Sequence, residues 1–330
     1  VDLAARDSCT IGGMIATNAG GINVLRYGAM REQVLGIEAV LADGSVISHL
    51  EGLEKDNTGY HFPSLFAGSE GTLGIITKAR LRLHPHLTGR CTAMLAFDSV
   101  DDAVAATSAL RRSVTSLHAA EVIFRDAMHL VCEHINSTIP IGANSEAWLI
   151  VEAAAPSDPT EELAAAIDSL GTLVVDVGVG VDSSSRKNLW QYREKVTEAI
   201  SDAGTPHKLD VTLGASKLAD FVTEVPSIVS AIDEGSSVYM FGHLGDGNVH
   251  VNVMGNAGDE PPEAVDAAIL EYAAKLGGSI SAEHGIGTAK KEFLHLNRTS
   301  AEIFAFRSIK HALDPRQILN PHVLLPSEDS

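Results

Sequence analysis

Three cysteines in 330 residues are too few and too scattered for a disulfide framework; Cys9, Cys91 and Cys132 are odd in number and far apart. They read as reduced thiols, and a cysteine-based zinc ribbon is excluded with the disulfides. Positive charge is scarce too: 24 Lys and Arg stand against 43 Asp and Glu, a net charge of −19. That balance excludes nucleic acid and an anionic membrane surface as partners. It also requires a local cluster of basic residues wherever an anionic substrate is held. No apolar run approaches the roughly 18–20 residues of a membrane span. No signal peptide is visible, and the expected compartment is the cytoplasm. Low-complexity tracts and short tandem repeats do not occur. Nor is there a Gly-x-Gly-x-x-Gly fingerprint feeding a βαβ unit, so a Rossmann site is not expected.

What is there begins with length, which exceeds what one core usually supports and predicts two domains. Residues 1–88 are glycine-rich and read as mostly β. "IEAVLADGSVI" (37–47) is a hairpin turning at Asp43-Gly44, and "GSEGTLGIITKARLRL" (68–83) is a glycine loop running into a strand. After "HPH" (84–86), strands alternate with amphipathic helices, one of which is expected to run through residues 185–204 without a break. The alternation predicts an α+β domain with helices on one face of an antiparallel sheet. The tail "LDPRQILNP" (313–321) reads as a docking segment.

"FGHLGDGNVHVNV" (241–253) concentrates unusual chemistry. Its Gly-Asp-Gly-Asn stretch predicts a tight loop at 245–248, flanked by strands. Leu244 then pairs with Val249 and His243 with His250, with Cβ atoms roughly 5 Å apart. Asn252 points the same way. Two imidazoles so placed are half of a metal site. "SISAEHGIG" offers a third ligand, Glu283, with His284 beside it, before a Gly-x-Gly turn and a helix expected from about Thr288. A polar hairpin with exposed histidines is the alternative.

Two further stretches carry candidate binding groups. In "CTIGGMIATNAGGINVLRYGAMRE", Gly12-Gly13 and Gly20-Gly21 bracket Asn18. Paired glycines let the backbone approach a ligand and aim N–H groups at it, which suits a pyrophosphate or an oxygenated ring; a run of turns is the alternative. On the 185–204 helix, Arg193 and Thr197 stand four apart, and Lys208 follows on the next strand. Their convergence would give a carboxylate a guanidinium fork and an ammonium. Otherwise Arg193 pairs with a glutamate of its own helix.

"CTIGGMIATNAGG", "RYGAMREQVLGIEAVLADGSVI", "KDNTGYHFPSLFAGSEGTLGIIT", "GHLGDGNVHVNV", "SAEHGIGTAKKEFL" and "ILNP" occur in that order. Together they resemble the FAD-dependent D-2-hydroxyacid dehydrogenases of the vanillyl-alcohol-oxidase flavoprotein superfamily. That group includes D-2-hydroxyglutarate dehydrogenase, flavin D-lactate dehydrogenase and the glycolate oxidase large subunit. The resemblance implies the C-terminal half of a PCMH-type FAD-binding domain (1–88), then a ferredoxin-like antiparallel-sheet cap domain with the metal site (89–312). A segment (313–330) would return to the FAD domain.

The first half of the FAD domain is expected to precede Val1, so this chain alone should hold flavin weakly. The resemblance further implies FAD contacts at Thr10, Gly12, Gly13, Asn18, Gly20, Gly21, Gly71, Gly74, Ile75 and Asn320. Zinc or manganese would sit on His243, His250 and Glu283, and His284 would be the base. Arg193, Thr197, Lys208 and Asn252 would hold a small 2-hydroxy acid. An electron-transfer flavoprotein or a quinone would reoxidise the flavin, and a homodimer is compatible with the pattern. Two alternatives stand beside this one: a zinc hydrolase, which has no use for the glycine cluster, and a flavin-free metal-binding fragment.

Overall fold

The computed structural model describes residues 1–53 and 55–327. Residue 54 and residues 328–330, parts of the expected first domain and terminal segment, lie outside the described residues. The chain forms two compact units, one of residues 1–85 with 280–330 and one of residues 86–279. The return to the first unit thus begins at Ile280, well ahead of the expected 313.

The first unit holds a three-stranded antiparallel sheet in the order β2-β1-β3, with β1 Val34–Val40, β2 Val46–His49 and β3 Ile75–Leu81. The β1–β2 hairpin turns at Asp43-Gly44, where Gly44 has φ 86° and Asp43 accepts the Ser45 N–H at 2.9 Å. The expectation of a mostly β segment is corrected by helix α1 (Ile11–Thr17) and by short helices at Val24–Tyr27, Met30–Gln33 and Phe62–Phe66. Glycines at positions 12 and 13 weaken helix propensity and hide α1 in the sequence. Its caps restore it. Thr10 Oγ1 accepts the Gly13 N–H at 3.1 Å, and Asn18 ends the helix in the left-handed region at φ 51°, ψ 48°. Ile15, Met30, Ile37 and Phe66 form the centre of this core.

The tail is tied down by a buried ion pair. Helix Ser300–Leu313 ends at Asp314, which is fully buried. The Asp314 carboxylate accepts from Lys310 Nζ and from the N–H groups of Ile318 and Leu319 at 3.1 and 2.8 Å. Lys310 Nζ also donates to the carbonyls of Thr72 and Leu319, at 2.9 and 2.7 Å. One ammonium therefore joins the tail to the 68–74 glycine loop.

The second unit is a seven-stranded antiparallel sheet ordered β7-β4-β6-β5-β9-β10-β8. Its strands are β4 Gly89–Phe97, β5 Leu117–Phe124, β6 Ala147–Ala155, β7 Asp176–Gly180, β8 His207–Thr212, β9 Ser237–His243 and β10 Asn248–Met254. Its helices are α2 Val100–Ser113, α3 Arg125–His134, α4 Thr160–Asp168, α5 Ser183–Glu194, α6 Val196–Ala203, α7 Ala215–Ile232 and α8 Ala264–Lys275. The single helix expected over 185–204 is therefore two, α5 and α6, parted at Lys195.

Helices also cover both faces of this sheet, not one. Met94, Ile123, Trp148, Ile150 and Phe241 pack against Met128 and Val131 of α3, Tyr192 of α5 and Ile200 of α6. The alternate residues Ala93, Leu95, Val122, Leu149 and Val151 are equally buried on the opposite face, where α2 meets β4, β5 and β6. Strands buried on both faces read as continuous apolar runs, as "TAMLAF" and "WLIVEAAA" do. All three cysteines are free, and burial pushes the Cys132 thiol up to about 11. Among the described residues no helix is long and apolar enough to cross a membrane.

Burial works against the Asp314 charge, but Lys310 and the N–H groups of Leu319 and Ile318 outweigh it and hold the carboxyl below its ordinary 3.8. A carboxyl depressed on folding stabilises the fold fully above its unfolded value and loses that contribution as pH falls through the folded one. Asp314→Asn should therefore destabilise the chain by about 1–3 kcal/mol at neutral pH. In urea melts, the gap between wild type and variant should close as pH is lowered below 3.8. A gap independent of pH would contradict the role given to the charge.

Candidate functional site

The β9–β10 hairpin closes one residue earlier than its glycines suggest. His243 pairs with Asn248, Gly242 with Val249 and Phe241 with His250, which corrects the expected pairs Leu244–Val249 and His243–His250. The loop is residues 244–247. The His243 carbonyl accepts the Asp246 and Gly247 N–H groups at 3.2 and 3.1 Å, and Gly247 takes φ 84°. Moving the loop by one residue shifts each partner by two. Side-chain direction has period two, so the histidines stay on one face, now as diagonal neighbours. Their Nε2 atoms lie 3.4 Å apart, with the rings at 81°. Two nitrogens each about 2.0–2.1 Å from one tetrahedral ion would be separated by about 3.4 Å. The imidazole pair fits a divalent metal in chemistry and in spacing.

Behind the histidines lies a charge that sequence reasoning missed. Glu121, on β5 opposite His243 in register, is 1 % exposed. Its Oε1 is 2.7 Å from His243 Nδ1, and its Oε2 is 2.9 Å from Arg193 Nη2. Burial opposes ionisation of Glu121, but the flanking His243 and Arg193 prevail and lower its pKa. The Arg193 guanidinium also stacks over the Phe241 ring, 4.5 Å from its centroid. The sequence did carry a signal: in "LHAAEVIF", all eight positions of a fully buried strand, Glu121 is the one acid.

Arg193 is thus committed to a buried glutamate on a distant strand and not to one on its own helix. Arg193 is buried on α5, whereas Thr197, four residues on, is exposed on α6 beyond Lys195. Lys208 and Asn252 are cross-strand partners, two residues along from the pair Asp210–His250, so all four share the histidine face. Lys208 is exposed, with Nζ 3.2 Å from Ser201 Oγ. Asn252 is buried and donates to the Tyr239 carbonyl at 3.3 Å. Asp210, fully buried opposite His250, is a further polar residue of this face that sequence reasoning passed over.

In the first unit, Thr10, Gly12, Gly13 and Ile75 come together where α1 meets the start of β3. A Cβ on Gly12 would lie 3.3 Å from the Ile76 carbonyl oxygen, and Ile75 is 59 % exposed. Bare backbone beside exposed apolar surface fits a flat ring system.

Other predicted flavin contacts have work within the protein. Gly21 donates its N–H to Glu283 Oε1, and a Cβ on Gly20 would lie 2.5 Å from the same oxygen. The Gly21 amide therefore faces Glu283, which corrects its expected direction. Asn18 Oδ1 accepts the Arg31 N–H at 2.8 Å. A Cβ on Gly74 would meet the Phe66 ring at 2.7 Å. Gly71 has φ 70° and lies against Asn320, whose amide donates to the Glu70 carbonyl at 2.7 Å.

Glu283 and His284 precede a turn built by Gly285 and Gly287, at φ 79° and 56°. No helix begins at Thr288; a 3₁₀ segment, Lys291–Leu296, follows instead, and His284 is exposed. Glu70 clasps this turn, its carboxylate accepting the N–H groups of Ile286 and Gly287 at 2.8 and 2.7 Å. Those two amides lie in a turn outside any regular element, and the Glu70 carboxylate satisfies both.

Residues 88–324 match the family profile of FAD linked oxidases, C-terminal domain, and residues 1–49 match that of an FAD binding domain. The chain is 38% identical over 333 residues to the mitochondrial D-2-hydroxyglutarate dehydrogenase of Bos taurus, covering 99% of this chain and 61% of that one. It is likewise 38% identical to the D-2-hydroxyglutarate dehydrogenase of Xanthomonas citri pv. viticola, covering 100% and 71%. Among solved structures, the 4-ethylphenol oxidase of Gulosibacter chungangensis in its isoeugenol complex superposes with a TM-score of 0.69 at 15% identity, over 99% of this chain and 75% of that one. That likeness is one of fold, and it agrees with the α+β, PCMH-type reading. The chain belongs to the FAD-linked oxidase family. It spans about three fifths of the length of the mitochondrial relatives it matches.

Glu70 supplies a test. Glu70→Ala should strand the Ile286 and Gly287 amides and cost about 1.5–3 kcal/mol, the worth of a charged hydrogen bond. Hydrogen exchange at those two amides should quicken at least tenfold while exchange in α1 changes little. Unchanged protection at both would show that Glu70 does not hold the turn.

Proposed function

We propose that the protein is an FAD-dependent dehydrogenase that oxidises a D-2-hydroxy acid to the 2-oxo acid. One observation carries this reading. The paired imidazoles of His243 and His250 share a sheet face with Asn252 and Lys208, in a chain 38% identical to relatives named for D-2-hydroxyglutarate. D-2-hydroxyglutarate is accordingly the first substrate to test.

In this reading His243 and His250 hold zinc or manganese, with Glu283 as third ligand on the strength of the sequence resemblance. When bound, the metal supplies a Lewis acid that makes the substrate hydroxyl more acidic. His284 accepts the hydroxyl proton, a task suited to an imidazole near neutrality. Lys208 and Arg193 attract the substrate carboxylate in a chain of net charge −19. Arg193 Nη2 is held by Glu121, while its buried Nε has no hydrogen-bond partner among the described residues. Asn252 and Thr197 complete the substrate set. Thr10, Gly12, Gly13, Ile75, Gly71 and Asn320 are the flavin-facing residues of the first unit. When bound, FAD supplies the two-electron acceptor, and an electron-transfer flavoprotein or quinone is the proposed oxidant of the reduced cofactor.

Supplied with excess FAD, the protein should show flavin absorption that bleaches anaerobically with D-2-hydroxyglutarate or D-lactate and not with the L-enantiomers. Absence of bleaching, or bleaching without stereochemical preference, would overturn the reading. His250→Ala should lower metal content by one ion per chain while circular dichroism stays unchanged; full metal occupancy would remove the hairpin from the site. Lys208→Ala should raise KM for the acid at least tenfold in assays with an artificial acceptor, the effect of losing about 1.5–3 kcal/mol of charge-assisted bonding. An unchanged KM would make Lys208 an ordinary surface lysine.

A further inference from the structure

We propose that Glu121 is a positioning residue that fixes His243 in the tautomer protonated on Nδ1, leaving Nε2 as a lone-pair donor aimed at the His250 side. The purpose of this arrangement rests on the metal reading above; the arrangement itself does not. A carboxylate beside a guanidinium is ionised, because Arg193 carries a permanent positive charge and Glu121 Oε2 lies 2.9 Å from it. An ionised carboxylate only accepts hydrogen bonds. The 2.7 Å contact between Glu121 Oε1 and His243 Nδ1 is then a bond in which Nδ1–H donates. In the neutral ring the proton is thereby removed from Nε2, the atom 3.4 Å from His250 Nε2. Metal-binding imidazoles need this division of labour, one nitrogen donating to an acid and the other coordinating.

The surroundings leave the imidazole little freedom. The sheet register places Glu121 directly opposite His243. Arg193 sits over Phe241, whose ring centroid is 5.0 Å from that of His250. Glu121, His243, His250, Phe241 and Arg193 therefore form a closed circuit of contacts within one unit. A glutamate needed only to neutralise Arg193 could do so with both oxygens. Glu121 divides its two oxygens between the guanidinium and the imidazole.

The test uses the metal-free chain, with the ring nitrogens of His243 observed by long-range ¹H–¹⁵N correlation. Wild type should show Nδ1 protonated and Nε2 unprotonated. Glu121→Gln should invert this. The amide oxygen must face the guanidinium, so the amide NH₂ faces the imidazole and makes Nδ1 the acceptor. A second variant, Glu121→Met with Arg193→Met, removes both buried charges and so avoids stranding one. It should give a mixture of tautomers. Zinc affinity, measured by chelator competition, should fall about 10–100-fold in both variants, with folding checked by circular dichroism. A wild-type Nδ1–H signature retained in both variants would overturn the proposal. So would zinc affinity within twofold of wild type once inversion had been seen. If wild type bound no zinc, the metal reading would fall, and the tautomers would still decide what Glu121 does.

Discussion

The pairing of β5, β9, β10 and β8 is the constraint on which the second unit's chemistry depends. These strands lie side by side, and their register places Glu121, His243, Asn248 and Thr212 in one row across the sheet. His250 and Asp210 stand in the next row, and Asn252 and Lys208 in the one after. Backbone hydrogen bonding alone brings these eight polar side chains from three separate segments onto one face. No helix could do this, since its side chains turn away every 3.6 residues. The centre of that face is apolar, formed by Met94, Trp148 and Ile150. The polar rows therefore lie at the border of a dry core, where charges are felt strongly.

The first unit works by a different device. Several of its candidates lie on turns, and side-chain carboxylates that accept backbone N–H groups hold turns of this unit. Glu70 holds residues 286 and 287, Glu283 holds Gly21, and Asp314 holds residues 318 and 319. Each replaces the backbone partner that a regular element would have provided. Glycines at φ 79° and 56° allow such turns, and a nearby acid fixes them.

Legibility in the sequence followed the range of the interaction. The α+β class and the strand-helix alternation were readable because apolar patterning is local. The shared face of His243 and His250 was readable despite a wrong register, because an error of two residues preserves side-chain direction. Helix α1 was obscured by Gly12 and Gly13, although Thr10 and Asn18 signalled its ends. The break at Lys195 left no mark, because residues 185–204 are periodic on both sides of it. Glu121 was visible as an acid in an apolar strand, but its partner is 122 residues away on a strand that is not its neighbour in sequence. Spacing within a segment cannot reveal such a pairing. For the same reason the sequence does not reveal that Glu121 already occupies one arm of Arg193.

The Glu121–Arg193 pair also bears on how this protein can change over generations. Losing either partner leaves a charge in a site less than a tenth exposed, a penalty of about 3–5 kcal/mol and a large part of a domain's whole margin of about 5–15 kcal/mol. The two positions are therefore inherited as a single character. Drift at one alone passes through a markedly less stable chain, whereas a joint exchange avoids stranding a charge. The effects of substitution at the two sites are accordingly non-additive. His243, leaning on the same carboxylate, is held in place by the bond that fixes the pair.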